Sequence, residues 1–211
     1  MTDSYRTIIR PAMAEPPKTK GSRFIGEAFP VATEAEAEAR LEAVRKREYS
    51  ATHWCWAWRL GETGDTFRYS DDGEPNGSAG APILRQIEAR DLTNTLVVVT
   101  RYYGGTKLGT GGLVRAYGES AGAALDAARI VERIVRVPVR LRFDYADTSP
   151  AMHTVGRFDA EIVEQHYGED TTLDVRVRRS EVDALCAAFV EALGGRGTVE
   201  HPGAERPDAQ R

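Results

Sequence analysis

Cysteine is scarce in this chain of 211 residues: Cys55 and Cys186 are the only two, and they lie far apart. That excludes a disulfide framework and leaves both read as reduced, partly buried small hydrophobes. Long apolar runs are missing too, since none approaches the roughly 20 residues that a bilayer-spanning helix needs. No basic-then-apolar leader opens the chain, which therefore reads as cytoplasmic. There is no excess of positive charge; the formal net charge is −4. Residues 1–134 carry eighteen basic and eighteen acidic side chains, so the whole deficit falls on the remainder. A generic nucleic-acid coat is thereby excluded, and any attraction to phosphate has to come from a local patch. No Gly-x-x-x-x-Gly-Lys-Ser/Thr run is present, so there is no P-loop. No Ser-His-Asp order or Cys/His dyad stands out. His53 and Cys55, two apart in one apolar segment, read as packed rather than catalytic.

One further absence is local. From Leu92 to Gly118 no acidic residue occurs. Inside that window runs Arg101-Tyr-Tyr-Gly-Gly-Thr-Lys-Leu-Gly-Thr-Gly-Gly-Leu-Val-Arg115. Gly104, Gly105, Gly109, Gly111 and Gly112 let backbone N–H groups approach a ligand, and Arg101, Lys107 and Arg115 surround them with fixed positive charge. The run follows Thr95–Thr100, a β-branched stretch apolar on both faces that reads as a central strand, and it leads into a helix. A glycine-rich loop entering a helix N-terminus is suited to anions, because unpaired N–H groups and the helix dipole point the same way. A tight, closely packed turn is the competing reading.

The second unusual segment is Ser70-Asp-Asp-Gly-Glu-Pro-Asn-Gly-Ser-Ala-Gly80. Its three carboxylates, Asp71, Asp72 and Glu74, fall within four positions. As turn chemistry, Asp, Asn and Ser make Asx-turns and cap the next helix. As a site, one carboxylate pairs with Arg101, Lys107 or Arg115, or holds a divalent cation beside an anionic ligand. The spacing matches no defined metal loop, and no cofactor is expected.

Organisation along the chain is readable. Strands are expected at 4–10 and 22–29, with a Pro/Lys loop between them. Thr33-Glu-Ala-Glu36 forms a capping box that opens a helix to about Arg47, with Ala37, Leu41 and Val44 on one face. His53–Trp58 reads as a strand with Trp54, Trp56 and Trp58 on one side and His53 and Cys55 on the other. A strand near Thr66–Tyr69, a helix over about 79–89 and a helix over about 112–128 complete a first domain ending at residue 134. Beyond it, Val135–Phe143 and Leu173–Arg178 alternate apolar residues with Arg136, Arg140, Arg142, Arg176 and Arg178, as half-buried strands do. With helices near 150–158 and 180–193 and strands near 161–167 and 197–200, residues 135–200 follow a β-α-β-β-α-β order, which indicates a ferredoxin-like domain. The tail 201–211 reads as disordered from its Pro, Gly and charge content.

The two unusual segments together resemble the IMPACT/YigZ family. The matching residues are Ser22-Arg-Phe-Ile-Gly26, Ala51-Thr-His53, Ser70-Asp-Asp-Gly-Glu-Pro75, Ala79-Gly80, Arg101–Gly109 and Gly111-Gly-Leu-Val-Arg-Ala-Tyr117. Members commonly carry Phe at the position of Tyr103, Ile at Thr106, and Ser-Gly-Thr in place of Asn76-Gly-Ser78. The resemblance implies an α+β protein. Its N-terminal α/β domain would be of the kind found in a small-subunit ribosomal protein and in domain IV of the translocation factor EF-G. A ferredoxin-like domain would follow. It further implies translational control and stress response, in which eukaryotic relatives act; those relatives bind an activator of a starvation-responsive kinase through an extra domain not visible here, so what the resemblance carries over is association with RNA or the translation apparatus and not that binding.

Three functions follow as expectations. The first is a non-enzymatic protein that binds RNA, the ribosome or translation factors, using the glycine loop for phosphates and the arginine-bearing sheet as a second surface. That sheet lacks the aromatic pattern of an RNA-recognition sheet. The second is an enzyme acting on a phosphorylated small molecule or nucleotide, with Asp71 or Asp72 as base. The third is a protein-only interaction regulator anchored by Tyr102 and Tyr103. No DNA motif and no membrane segment are expected.

Overall fold

Residues 3–200 are described by the computed structural model; the reading of the tail 201–211 falls outside them. The chain divides into two compact units, one spanning Ser4–Arg133 and the other running from Ile134 and including Asp3.

In chain order, the first unit contains β1 (Ser4–Ile8), β2 (Ala12–Ala14), β3 (Arg23–Pro30), α1 (Glu34–Arg47), β4 (His53–Leu60) and β5 (Thr66–Ser70). It continues with α2 (Gly80–Glu88), β6 (Thr95–Tyr102), α3 (Thr110–Asp126) and β7 (Ile130–Ile134), which pairs with β1. Five strands form an antiparallel sheet in the order β2-β3-β6-β4-β5. The apolar run Thr95–Thr100 thus occupies the centre, and its residues are buried on both faces. Period-2 alternation sorts the side chains. Phe24, Ala28, Cys55, Ala57, Val97 and Val99 face α2 and α3. Phe29, Trp58, Leu60, Leu96 and Val98 pack with Ala37, Leu41 and Val44 of α1, and Trp54 and Trp56 border them. The indoles therefore lie on the face opposite Cys55, as the alternation of the strand requires.

Local chemistry explains the ends. Thr33 Oγ1 accepts the Glu36 N–H at 3.2 Å, while the Glu36 carboxylate takes the Ala32 N–H at 2.7 Å. The second half of the capping box thus reaches one residue further back than the pattern specifies. Helix α3 starts at Thr110, two residues before the expected Gly112, because Gly109 at φ 76° turns the chain there and Gly111 and Gly112 already belong to the first turn. Strand β2 was not expected. It is three residues long, contains no β-branched residue, and sits between prolines. Strand β7 was likewise not expected.

The second unit contains β8 (Arg136–Phe143), α4 (Thr148–Val155), β9 (Ala160–Tyr167), β10 (Thr171–Arg178), α5 (Val182–Ala192) and β11 (Thr198–Glu200). Its sheet order is β11-β8-β10-β9, the order that β-α-β-β-α-β connectivity produces in a ferredoxin-like domain. Val139, Leu141, Phe143, Leu173, Val175 and Val177 bury against Leu185 and Phe189 of α5 and Ala151 and Val155 of α4.

Backbone contact between β3 and α3 sets how closely the helix approaches the sheet. A Cβ built at Gly26 would lie 2.2 Å from the carbonyl oxygen of Ser120. Gly26→Ala is expected to cost about 1–3 kcal/mol through overpacking; a chemical-denaturation midpoint equal to wild type would contradict this. Glu27, one residue on, is buried on the α1 face with Arg47 Nη2 at 2.5 Å. Burial outweighs the arginine and holds its carboxyl above the ordinary value. The folded state thus holds this proton more tightly than the unfolded chain does. Its contribution to stability is full below the ordinary carboxyl value and is lost as pH rises through the higher folded value. Glu27→Gln is expected to flatten that part of the stability profile above the ordinary carboxyl value, and an unchanged slope in denaturation melts would contradict it.

Candidate anion-binding cleft

The acidic turn is held from within. Asp71 accepts N–H groups from Gly77, Ala79 and Gly80 at 2.8, 2.9 and 2.8 Å. It therefore supplies the cap that Ala79, at the N-cap of α2, has no side-chain oxygen to provide. Asp72 sits at φ 45°, a conformation Asp tolerates. Its carboxylate accepts the Trp54 N–H at 2.8 Å and Arg45 Nη2 at 3.1 Å. His53 Nδ1 lies 2.7 Å from the Asp72 carbonyl oxygen. Asp71 and Asp72 therefore shape the turn, and neither faces Lys107 or Arg115.

Glu74 projects differently. Strand β6 delivers Arg101 directly opposite His53 of β4 and Phe24 of β3. Arg101 Nη1 donates to Glu74 Oε1 at 2.5 Å, and the Tyr117 hydroxyl donates to the same oxygen at 2.7 Å. Arg101 Nη2 donates to Ser22 Oγ at 3.3 Å, while its buried Nε has no hydrogen-bond partner. His53 Nε2 stands 3.8 Å from the same Glu74 oxygen. Both ion-pair side chains are almost fully buried, at 6% and 5% exposure. Burial pushes the Tyr117 hydroxyl and the Cys55 thiol far above their ordinary values, so both stay protonated. Cys55 donates to the Asp71 carbonyl at 3.0 Å, and a thiol kept protonated is a poor nucleophile.

The glycines divide by role. Gly104 is a packing position: a Cβ there would lie 1.9 Å from the Gly21 carbonyl carbon. Gly112 lies close to Leu108, with 3.1 Å between an added Cβ and the leucine Cβ. Gly105 and Gly109 have positive φ, and at Gly105, Gly109 and Gly111 nothing stands within 4 Å of an added Cβ. Helix α3 begins with no side-chain cap and no acidic residue in its first turn. Lys107 is exposed beside it and has no ion-pair partner among the described residues. An open cleft of about 340 Å³ results, lined among others by Glu74, Pro75, Arg101, Tyr103, Lys107 and Gly109. Arg115 is also exposed and has no ion-pair partner among the described residues, but it lines a separate cleft of about 260 Å³ with Lys20 and Glu119.

The expected single cluster of six charged residues is therefore narrower in the structure. Glu74, Arg101, Lys107 and Gly109 come together. Asp71 and Asp72 stand behind them as scaffolding, and Arg115 belongs to the next surface. Ser22, His53 and Tyr117, which complete the buried network, were not proposed as site residues. The signals for His53 and Tyr117 were the strand alternation that puts His53 on the Arg101 face and a lone aromatic two turns into a helix rich in glycine and alanine. A divalent-cation site in the acidic turn is not formed. Among the described residues the only grouping of potential metal ligands is Glu164, His166 and Asp174 in the second unit, where Arg140 already holds Asp174 at 2.7 and 2.8 Å. The arginine-bearing sheet is corrected as well. Arg136 pairs with Asp159, Arg142 with Glu200, and Arg178 with Asp159 and Asp3. Only Arg176 of the five has no partner among the described residues, so this face is charge-balanced rather than cationic.

Fold and cleft together define a class: an α+β protein in two units, with a glycine-rich strand-to-helix corner in the first and a ferredoxin-like second. The Impact N-terminal domain matches residues 20–125, and a domain of unknown function (DUF1949) matches residues 141–196. The IMPACT family member YvyE of Bacillus subtilis is 35% identical over 179 residues, covering 85% of this chain and 82% of the relative. Escherichia coli YigZ is 33% identical over 178 residues, covering 83% and 87%. A crystal structure of a hypothetical protein, 30% identical, superposes with a TM-score of 0.70 over 97% of this chain and all of the other. The chain belongs to the IMPACT family.

Removing one partner of a buried pair strands the other. Glu74→Ala is expected to cost roughly 3–5 kcal/mol in chemical denaturation, and the double variant with Arg101→Met is expected to recover a large part of it. A loss under about 1 kcal/mol for the single variant would show that the pair behaves as a solvated surface bridge.

Proposed function

We propose that this protein is a non-enzymatic RNA- or ribosome-associated factor in translational control, and that it takes phosphate groups in the cleft beside α3. One observation carries the reading. The acidic turn has its carboxylates neutralised internally, by Arg101, Arg45 and backbone N–H groups, whereas Lys107 is left unpaired next to an uncapped helix start. The local balance is therefore positive in a chain whose net charge is −4. An anion arriving there meets free N–H groups, the positive end of the helix dipole and an ammonium group. Arg115, in the neighbouring cleft beside Lys20, offers a second cation for the same phosphate backbone. The connection of the protein to translation rests on family membership.

The runner-up is an enzyme acting on a phosphorylated small molecule. It draws on Glu74, the one carboxylate of the turn that lines the cleft, because Asp71 and Asp72 are engaged by the backbone and Arg45. Nucleotide retained through purification would favour it.

The test is a salt titration of RNA binding. Each single-strand phosphate neutralised contributes about 0.7 to the slope of log affinity against log salt. Lys107→Ala is expected to weaken binding several-fold and reduce that slope by about this amount, and Arg115→Ala is expected to act in the same direction. Binding that ignores salt, or that is untouched by both substitutions, would contradict the reading.

A further inference from the structure

We infer that Tyr103 is a stacking platform for one unpaired base, so that the cleft accepts single-stranded rather than duplex RNA; this rests on the phosphate reading above. The position of the residue carries the inference. Tyr103 directly follows β6, two residues after Arg101 and on the same face of the strand. Its backbone is pinned from both sides: its own N–H donates to Thr52 Oγ1 at 3.1 Å, and the next N–H, of Gly104, donates to Ser22 Oγ at 3.1 Å. The Arg101 guanidinium carbon lies 5.4 Å from the Tyr103 ring centroid and 5.5 Å from that of buried Phe24. Glu74 and Ser22 hold that guanidinium in place. The ring is thus backed by a fixed cation within cation–π range, yet it remains 47% exposed and lines the cleft together with Lys107.

A ring this rigid loses little conformational freedom when a flat ligand covers it. Bases stack on aromatic side chains irrespective of sequence, and the stacking is strong enough to change affinity about ten-fold per base. Within a duplex both faces of an internal base are already stacked and unavailable, so a platform of this kind selects unpaired nucleotides. The distribution of groups along the cleft suits one nucleotide step. Tyr103 offers an apolar face, Lys107 and the start of α3 offer the phosphate contacts, and Gly105 and Gly109 leave the space between them free of side chains. A side chain that merely covered Arg101 would need bulk but no aromaticity, and this difference is what the experiment reads.

Fluorescence anisotropy with a single-stranded oligouridylate and with an RNA hairpin duplex compares wild type, Tyr103→Leu, Tyr103→Trp and Lys107→Ala at fixed low salt. Tyr103→Leu is expected to weaken single-strand binding by about ten-fold with its salt slope unchanged, and Tyr103→Trp is expected to restore it. If Tyr103→Leu binds like wild type while Lys107→Ala is impaired, stacking is overturned and the phosphate reading stands. Should wild type bind neither RNA, both fall. An oligonucleotide carrying 2-aminopurine, mixed with the unmodified protein, keeps the question decidable if Tyr103→Leu fails to fold. Quenching is expected on binding, and bound RNA with undiminished fluorescence overturns the inference.

Discussion

Taking a guanidinium and a carboxylate out of water costs several kcal/mol per ion, and only close contact with further hydrogen bonds offsets it. Arg101 and Glu74 meet that condition. The carboxylate accepts from Arg101 and from Tyr117, the guanidinium also donates to Ser22, and rings of Phe24 and Tyr103 lie beside it. These contacts draw on β3, β6, the turn after β5, and α3. Once the pair forms, the turn cannot move away from the glycine corner without leaving a buried charge unpaired. The cleft exists because these two stretches, some thirty residues apart, are tied at this point.

Neutralising the carboxylates also decides the sign of the surface. Three acidic side chains next to an anion site would repel phosphate if they were free. Asp71 is turned onto the start of α2 and Asp72 onto Trp54 and Arg45, while Glu74 faces Arg101. What remains outward near α3 is Lys107, with Arg115 further along the helix. The acidic turn is therefore scaffolding with respect to charge, and it lets one lysine dominate. The second unit follows the opposite rule: its arginines are matched with carboxylates across and along the sheet, which suits a solvated face better than a polyanion.

Much of this was legible before any coordinates. Alternation placed the three tryptophans opposite Cys55, the doubly apolar Thr95–Thr100 run marked the central strand, and the β-α-β-β-α-β order of the last third matches a ferredoxin-like sheet. The glycine corner and the acidic turn stood out by composition alone. What sequence could not show was the direction of each side chain. Asp71, Asp72 and Glu74 are chemically alike and nearly adjacent, but a turn points successive carboxylates to different partners, so only one reaches the cleft. A helix likewise separates residues by rotation, and Arg115, five positions after Thr110, emerges on another surface than Lys107. Ser22 was hidden because long-range hydrogen bonds leave no periodic trace. Strand β2 was hidden because a three-residue strand with no β-branched residue resembles a loop; β7 is β-branched at Ile130, Val131 and Ile134, but its five residues follow a helix directly and pair with the distant β1.

The central claim is that the corner between β6 and α3 receives negatively charged groups. Backbone amide NMR of the full chain, titrated with inorganic phosphate and then with a short single-stranded RNA, tests this directly. The account requires both ligands to shift the amides of Gly105–Gly112 first and most, in fast saturable fashion. Shifts that appear instead on β8 and β10 of the second unit, or no localised shifts at all, would contradict it.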